Sequence, residues 1–144
     1  MRIMRFFPVL FLAMMVSSCS DRIQVQAGYY AVKTRMGEIK DVIEGPATTV
    51  KSPFLEHVVI FDKNRNLVIQ LPDDQQIELS IEVIDPKLFY LLSAGRYETL
   101  ASYYESKIDG LSRQDATELL IKELNKPDTG ITVELKPGPE NNYY

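Results

Sequence analysis

The residue types best suited to nucleophilic or acid–base chemistry are scarce in this chain, which has one histidine, His57, and one cysteine, Cys19. Hydrolytic sites need a nucleophile and a base at compatible spacing, and neither a Gly-x-Ser-x-Gly nor a His-Glu-x-x-His motif occurs. His57 precedes the apolar run Val58–Phe61, so we expect it to be structural or solvated. The sequence therefore predicts no catalytic residue and a protein that is not an enzyme.

One polar segment, Asp62–Asn66, partly matches a calcium-binding loop but lacks two of its required residues. Asp62–Asn66 carries oxygen-bearing side chains at its first, third and fifth positions, as a calcium-binding loop does. Such a loop requires glycine at the sixth position and glutamate at the twelfth, where this chain has Leu67 and Asp73. We predict a polar hairpin connection here, and a turn between strands at Asp73-Asp74. No metal site and no cofactor-binding site is predicted.

The N-terminus has the layout of a secretory leader. Arg2 and Arg5 precede an uncharged apolar stretch of 11 residues, Phe6–Val16, and two serines follow it. Eleven helical residues span about 17 Å, whereas the hydrocarbon core of a bilayer is ~30 Å thick. Residues 1–18 are therefore predicted to be a signal peptide and not a transmembrane helix.

Cys19 stands directly after this leader. The sequence Val16-Ser17-Ser18-Cys19 resembles the lipobox of bacterial lipoproteins, and an ordinary signal peptide with a chance cysteine is the alternative. The resemblance implies that Cys19 is the lipid attachment site, becomes the mature N-terminus and anchors the protein in the bacterial cell envelope, facing the periplasm. Ser20 favours the outer over the inner membrane. With no second cysteine, a disulfide framework is excluded.

Composition and charge restrict the partners. The 144 residues are 45% hydrophobic and 25% charged, which is typical of a folded globular domain. The formal charge of −4 becomes −6 once the leader and its two arginines are removed, and no basic run occurs. Nucleic acid is therefore not an expected partner, and membrane attachment must depend on something other than surface charge.

Short apolar runs separated by turn residues predict a β-rich first half. The clearest strand is Gln76–Val83, which alternates polar and apolar side chains and places Glu78 and Glu82 on its solvent face. Its apolar face contains Ile77, Leu79, Ile81 and Val83. The other expected strands are Tyr29–Lys33, Ile39–Ile43, Thr48–Lys51, Val58–Phe61 and Leu67–Leu71.

The hydrophobic period becomes helical after Val83. Asp85-Pro86 predicts an N-cap and a first helical residue, and Ser112 predicts the N-cap of a later helix. The expected elements are helices from Pro86 to about Ala94, over Tyr97–Ile108 and from Ser112 to about Leu124, then a strand at Ile131–Leu135. The predicted fold class is α+β, with short, mostly antiparallel strands followed by about three helices and a final strand.

Several segments occur in an order that carries a resemblance to a known family. They are Gly28–Ile39, Gly45-Pro46, Lys51–Val58, Asp73-Asp74-Gln75 and Asp85–Phe89, and the strongest matches are Ser52–Glu56 and Ile84–Tyr90. Together, over about residues 25–135, they resemble the SPFH, or band 7, domain of stomatin, prohibitin, flotillin and HflK/C. The chain departs from that pattern in having Gly45-Pro46 in reversed order and Asp74 in place of a glycine.

The resemblance implies an SPFH-like domain over residues 28–135, preceded by a lipid-anchored linker (19–27) and followed by a C-terminal tail (136–144). It implies a non-enzymatic membrane scaffold, or a modulator of a membrane protein or protease, with other SPFH proteins or a membrane protease as partners. Family members build rings through a coiled coil, and because no heptads follow Leu135, large rings are not expected. A small lipoprotein that binds cell-envelope components is the alternative.

Overall fold

The computed structural model describes residues 20–136, apart from the side chain of Asp73. The predicted signal peptide, the lipid attachment site Cys19 and residues 137–144 of the predicted tail lie outside the described residues. In chain order the elements are β1 (Asp21–Val25), β2 (Tyr29–Arg35), β3 (Glu38–Glu44), β4 (Ala47–Lys51), β5 (Glu56–Asp62), β6 (Asn64–Gln70), β7 (Gln76–Val83), α1 (Pro86–Ser93), α2 (Tyr97–Ile108), α3 (Arg113–Leu124) and β8 (Ile131–Leu135). The predicted α+β class is confirmed.

Within residues 20–136, eight strands form three small sheets, in which all pairings are antiparallel. β1 and β4 form a two-stranded ribbon, here called the N-terminal ribbon. The first sheet has the order β3-β2-β5, and the second sheet has the order β6-β7-β8. The ribbon corrects the predicted boundaries, because residues 21–25 of the expected linker are a strand paired with residues 47–51.

The polar hairpin connection predicted at Asp62–Asn66 is wrong. β5 pairs with β2 and β6 pairs with β7, so the chain passes from one sheet to the other with only Lys63 between the strands. Asn64 and Asn66 belong to β6, which is an edge strand, and their side chains are exposed. Polar side chains are compatible with an edge strand, because water remains in contact with it. The predicted turn at Asp73-Asp74 is confirmed as a short 3-10 helix over Pro72–Asp74.

The core lies between the second sheet and the helices. The predicted alternation in β7 is confirmed, since Ile77, Leu79, Ile81 and Val83 are buried. α2 packs against β6 and α3 against β8, while α1 packs against β2 and β3 and so connects the first sheet to the same core. The remaining buried apolar residues include Val32, Phe61, Leu67, Ile69, Phe89, Tyr97, Leu100, Tyr104, Ile108, Ala116, Leu120, Leu124, Ile131 and Val133.

Two helices, α1 and α3, begin directly after the N-cap residues that the sequence predicted. The Asp85 side chain accepts hydrogen bonds from the backbone N–H groups of Lys87 and Leu88, at 3.0 and 3.1 Å. Ser112 Oγ accepts from the Asp115 N–H at 3.2 Å. These side chains satisfy backbone donors that the first helical turn leaves free, and they confirm the predicted starts of α1 and α3.

The α3 C-terminus also protects the edge of the second sheet. Asn125 Oδ1 accepts the Val133 N–H at 2.8 Å, and Asn125 Nδ2 donates to the Val133 carbonyl at 3.1 Å. The side-chain amide therefore occupies both backbone groups of one residue on the outer edge of β8. An edge strand with occupied hydrogen-bonding groups is a poorer template for pairing with another chain.

Gly45 is required where the N-terminal ribbon meets the first sheet. A Cβ atom at this position would lie 1.8 Å from the Gln26 carbonyl oxygen and within 3 Å of two further backbone atoms. We expect Gly45→Ala to lower the free energy of unfolding by about 2–3 kcal/mol, because backbone atoms cannot swing aside as a side chain can. Gly110→Ala is the control, since its Cβ meets open space and only its φ of +80° disfavours alanine, at a cost of roughly 1 kcal/mol. Equal losses in denaturant melts would contradict the close approach at Gly45.

Candidate membrane-facing surface

The residues that first suggested chemistry lie apart in the fold. His57 is exposed in β5, opposite Thr34 of β2. Asn64 and Asn66 lie in an extended strand, so the segment from Asp62 does not wrap around a common centre as a calcium loop does. Within residues 20–136, no group of three or more histidine, cysteine, aspartate or glutamate side chains is arranged to hold a metal ion.

The N-terminal ribbon determines where a lipid on Cys19 would be. β1 begins at Asp21, which is in register with Lys51, the last residue of β4. Only Ser20 separates Asp21 from Cys19, and two residues of extended chain reach at most about 7 Å. A lipid attached at Cys19 would therefore enter the bilayer close to the end of the ribbon that contains Asp21 and Lys51.

The loop between β4 and β5 leaves the ribbon at that same end. It comprises Ser52–Leu55 and is held closed by two hydrogen bonds, from the Ser52 N–H to Glu56 Oε2 at 2.8 Å and from the Glu56 N–H to the Ser52 carbonyl at 3.1 Å. Pro53 adds a restricted backbone angle. Phe54 is 90% exposed and Leu55 is 42% exposed, so an ordered loop holds two large apolar side chains in solvent.

The turn between β2 and β3 lies beside this loop. Arg35, the last residue of β2, is in register with Glu56 of β5 and with Glu38 of β3. Met36, the next residue, has a φ of +52° and is 84% exposed. A left-handed backbone angle is uncommon for a residue with a Cβ atom, and this turn combines it with an apolar side chain in solvent. Met36, Pro53, Phe54 and Leu55 are called the apolar tip below.

The charges around the apolar tip are of both signs. Arg35 lies opposite Glu38 and Glu56, and Asp21 lies opposite Lys51. The hydrogen bond and charge of Lys40 lower the pKa of Glu38, whose carboxylate lies 2.7 Å from Lys40 Nζ. A surface of mixed charge gives little net attraction to an anionic or a cationic partner. The apolar side chains are therefore the distinguishing feature of this end of the molecule.

A polar cluster at the opposite end of β5 joins the two three-stranded sheets. The Tyr97 hydroxyl donates to the Asp62 carbonyl at 2.7 Å, and the Arg65 guanidinium lies 5.3 Å from the centre of the Tyr97 ring. Burial raises the pKa of Tyr97, and the charge of Asp62 raises it further, so the hydroxyl stays protonated at neutral pH. Arg65 also pairs with Glu98 at 3.2 Å. These contacts bridge β5, β6 and α2, which indicates a structural role.

A second exposed apolar surface lies on α1. Leu88, Leu91 and Leu92 lie on one face of the helix, while Phe89 and Ser93 are buried on the other side. Ile84 precedes the N-cap of the helix and lines the same cleft as Leu88, and these four residues, Ile84, Leu88, Leu91 and Leu92, are called the α1 face below. Ile84 and Leu91 are 63% and 65% exposed. The Val83 N–H donates to the Lys63 carbonyl, so the start of α1 lies at the end of β5 that is remote from the apolar tip. A cleft of about 280 Å³ between Leu88, Lys126 and Thr132 adjoins this face.

Sequence reasoning did not identify either apolar surface. Ser52–Glu56 resembles a family motif, but nothing in its pattern distinguishes an exposed Phe54 from a buried one. The available signal was an apolar group beside a proline between two strands, where the chain is expected to turn. Met36 gave a weaker signal, an apolar residue before the glycine of a predicted turn.

Comparisons with known proteins do not assign a function to these surfaces. No protein-family model matches the chain, and no curated protein matches it. Over residues 20–136, no helix is long and apolar enough to cross a membrane.

Proposed function

We propose that this chain is a non-enzymatic, lipid-anchored protein of the bacterial envelope whose SPFH-like domain acts as a membrane scaffold or modulates a membrane protein or protease. The observation that carries the proposal is the start of β1 at Asp21, two residues after Cys19. A lipid on Cys19 would hold the folded domain directly at the bilayer, without a free linker. A domain held in this way is suited to contact other proteins in the same membrane.

The α1 face supports a protein partner. It presents Leu91 and Leu92 to solvent on a helix that is otherwise packed into the core, together with Ile84 just before the helix. Contiguous exposed apolar side chains on a folded domain are typical of interaction surfaces. Its position away from the apolar tip would leave it accessible when the ribbon end lies at the membrane. Other SPFH proteins and membrane proteases are the partners that this proposal implies.

The test is purification of the lipidated chain from detergent-solubilised membranes, with a photo-crosslinking residue next to the α1 face. We expect crosslinks to an SPFH protein or a membrane protease, and Leu91→Glu is expected to reduce their yield about tenfold, as loss of ~1.4 kcal/mol of binding free energy would. The matched control is Leu111→Glu, which changes an exposed leucine in the loop between α2 and α3. Co-purification of cell-wall glycan, or a lone monomer with no crosslink, would favour the alternative of a small module that binds envelope components.

A further inference from the structure

We propose that the apolar tip inserts into the lipid–water interface of the bilayer that carries the Cys19 lipid, so that the domain contacts the membrane at a second point. The inference depends on the proposed lipid anchor. It assigns a role to Met36, Phe54 and Leu55, which have large exposed apolar side chains outside the core. The occupant proposed for this surface is the bilayer itself and not a protein.

The loop geometry supports a preformed contact. The Ser52–Glu56 hydrogen bonds close the loop, and Pro53 restricts it, so Phe54 is displayed without further ordering of the backbone. A contact that is already ordered loses less conformational entropy on binding than a flexible one. Aromatic and aliphatic side chains on a loop can enter the boundary between head groups and acyl chains, to a depth of roughly 5–10 Å for amphipathic segments.

The position of the anchor identifies the bilayer as the occupant. Cys19 is at most about 7 Å from Asp21, and paired Cα atoms in an antiparallel ribbon are about 5 Å apart, so Lys51 is close to the anchor. Ser52, the first loop residue, follows Lys51 directly. A lipid on Cys19 would thus place the membrane beside the apolar tip.

The mixed charges around the tip define how the contact should behave. Arg35 has Glu38 and Glu56 as cross-strand neighbours, and Lys51 has Asp21. Insertion driven by apolar side chains is insensitive to salt, whereas attraction between a basic patch and anionic lipid weakens as salt rises. We therefore expect the tip to insert to the same extent at low and at high ionic strength.

The absence of tryptophan from the chain provides a direct test, because one introduced tryptophan is the only source of indole fluorescence. Lipidated full-length Phe54→Trp would be reconstituted into phosphatidylethanolamine–phosphatidylglycerol vesicles that contain brominated phosphatidylcholine as a quencher. Leu91→Trp is the matched control, since Leu91 is also well exposed but lies on the α1 face. We expect brominated lipid to quench the tryptophan at position 54 at least about threefold more than that at position 91, in low and high salt alike.

Vesicle flotation separates the two parts of the hypothesis. Protein that floats but shows equal or no quenching at position 54 would overturn insertion of the tip while leaving the anchor in place. Protein that does not float would overturn the lipid anchor, and the inference that depends on it. Quenching at position 54 that disappears in high salt would also contradict the proposal, because it would indicate electrostatic adsorption instead of apolar insertion.

Discussion

Ile81→Asp is expected to lower the free energy of unfolding by about 4 kcal/mol or more, a large share of the ~5–15 kcal/mol that stabilises a typical domain. Ile81 is fully buried in β7, the central strand of the second sheet, between Arg65 of β6 and Val133 of β8. An aspartate there would replace apolar contacts beneath the helices with a buried carboxylate, and Arg65, its charged cross-strand neighbour, is already paired with Glu98 at 3.2 Å. Chemical denaturation followed by circular dichroism measures the loss.

Glu82→Lys is the matched control for this prediction. Glu82 follows Ile81 in β7 but is exposed on the opposite face, and its cross-strand neighbours, Asn64 and Thr132, carry no charge. The free energy of unfolding of the Glu82→Lys variant should therefore differ from that of the wild type by less than about 0.5 kcal/mol. Similar losses in the two variants would refute the assignment of one face of β7 to the core.

Cys19→Ala is expected to abolish incorporation of labelled palmitate and to leave an uncleaved precursor. The thiol of Cys19 is the only one in the chain, so no other residue can accept the lipid as a thioether. Labelling of cells with palmitate, followed by immunoprecipitation and mass measurement, gives the result. Unchanged labelling in the variant would show that the lipid is attached elsewhere and that the lipobox assignment is wrong.

The same variant separates loss of the anchor from loss of the fold. β1 begins at Asp21, so removal of the Cys19 thiol deletes no contact among residues 20–136. We expect the purified Cys19→Ala chain to have the denaturation midpoint of an unlipidated wild-type chain. A lowered midpoint would indicate that the substitution disturbs the N-terminal ribbon, and membrane fractionation of the variant would then report unfolding as well as the missing lipid.

Individual strands and helices could be predicted from the sequence because side-chain alternation and capping residues involve only neighbouring positions. Alternation of side chains over Gln76–Val83 is visible within eight residues, and it requires only that one face be buried. Asp85 and Ser112 determine where α1 and α3 begin, because their side chains bond to backbone groups two or three residues away. For the same reason α2 has the bounds that its apolar spacing predicted, Tyr97–Ile108.

The pairing of strands depended on the tertiary structure. The run from Asp62 to Asn66 reads as a connection because it is polar, but it is mainly the start of edge strand β6, where Asn64 pairs with Glu82 and Asn66 with Ser80 of β7. The segment at residues 21–25 has no strong strand pattern, and it becomes β1 because residues 47–51 offer it a partner. Such choices depend on contacts between residues far apart in sequence, which a local pattern does not contain.

The features of the candidate site also separate into those that the sequence predicts and those that only the tertiary structure reveals. The sequence alone predicts Cys19 as the lipid attachment site, because the apolar stretch and the cysteine that follows it are contiguous. Only the tertiary structure placed Met36, Phe54 and Leu55 together, since they belong to two turns that become neighbours when Arg35 pairs with Glu56. Only the register of Asp21 with Lys51 showed that the tip lies at the end of the ribbon where β1 begins, two residues after the predicted attachment site Cys19. The physical reason is that exposure and proximity are properties of the folded surface, and identical apolar residues are buried or exposed according to which strands pair around them.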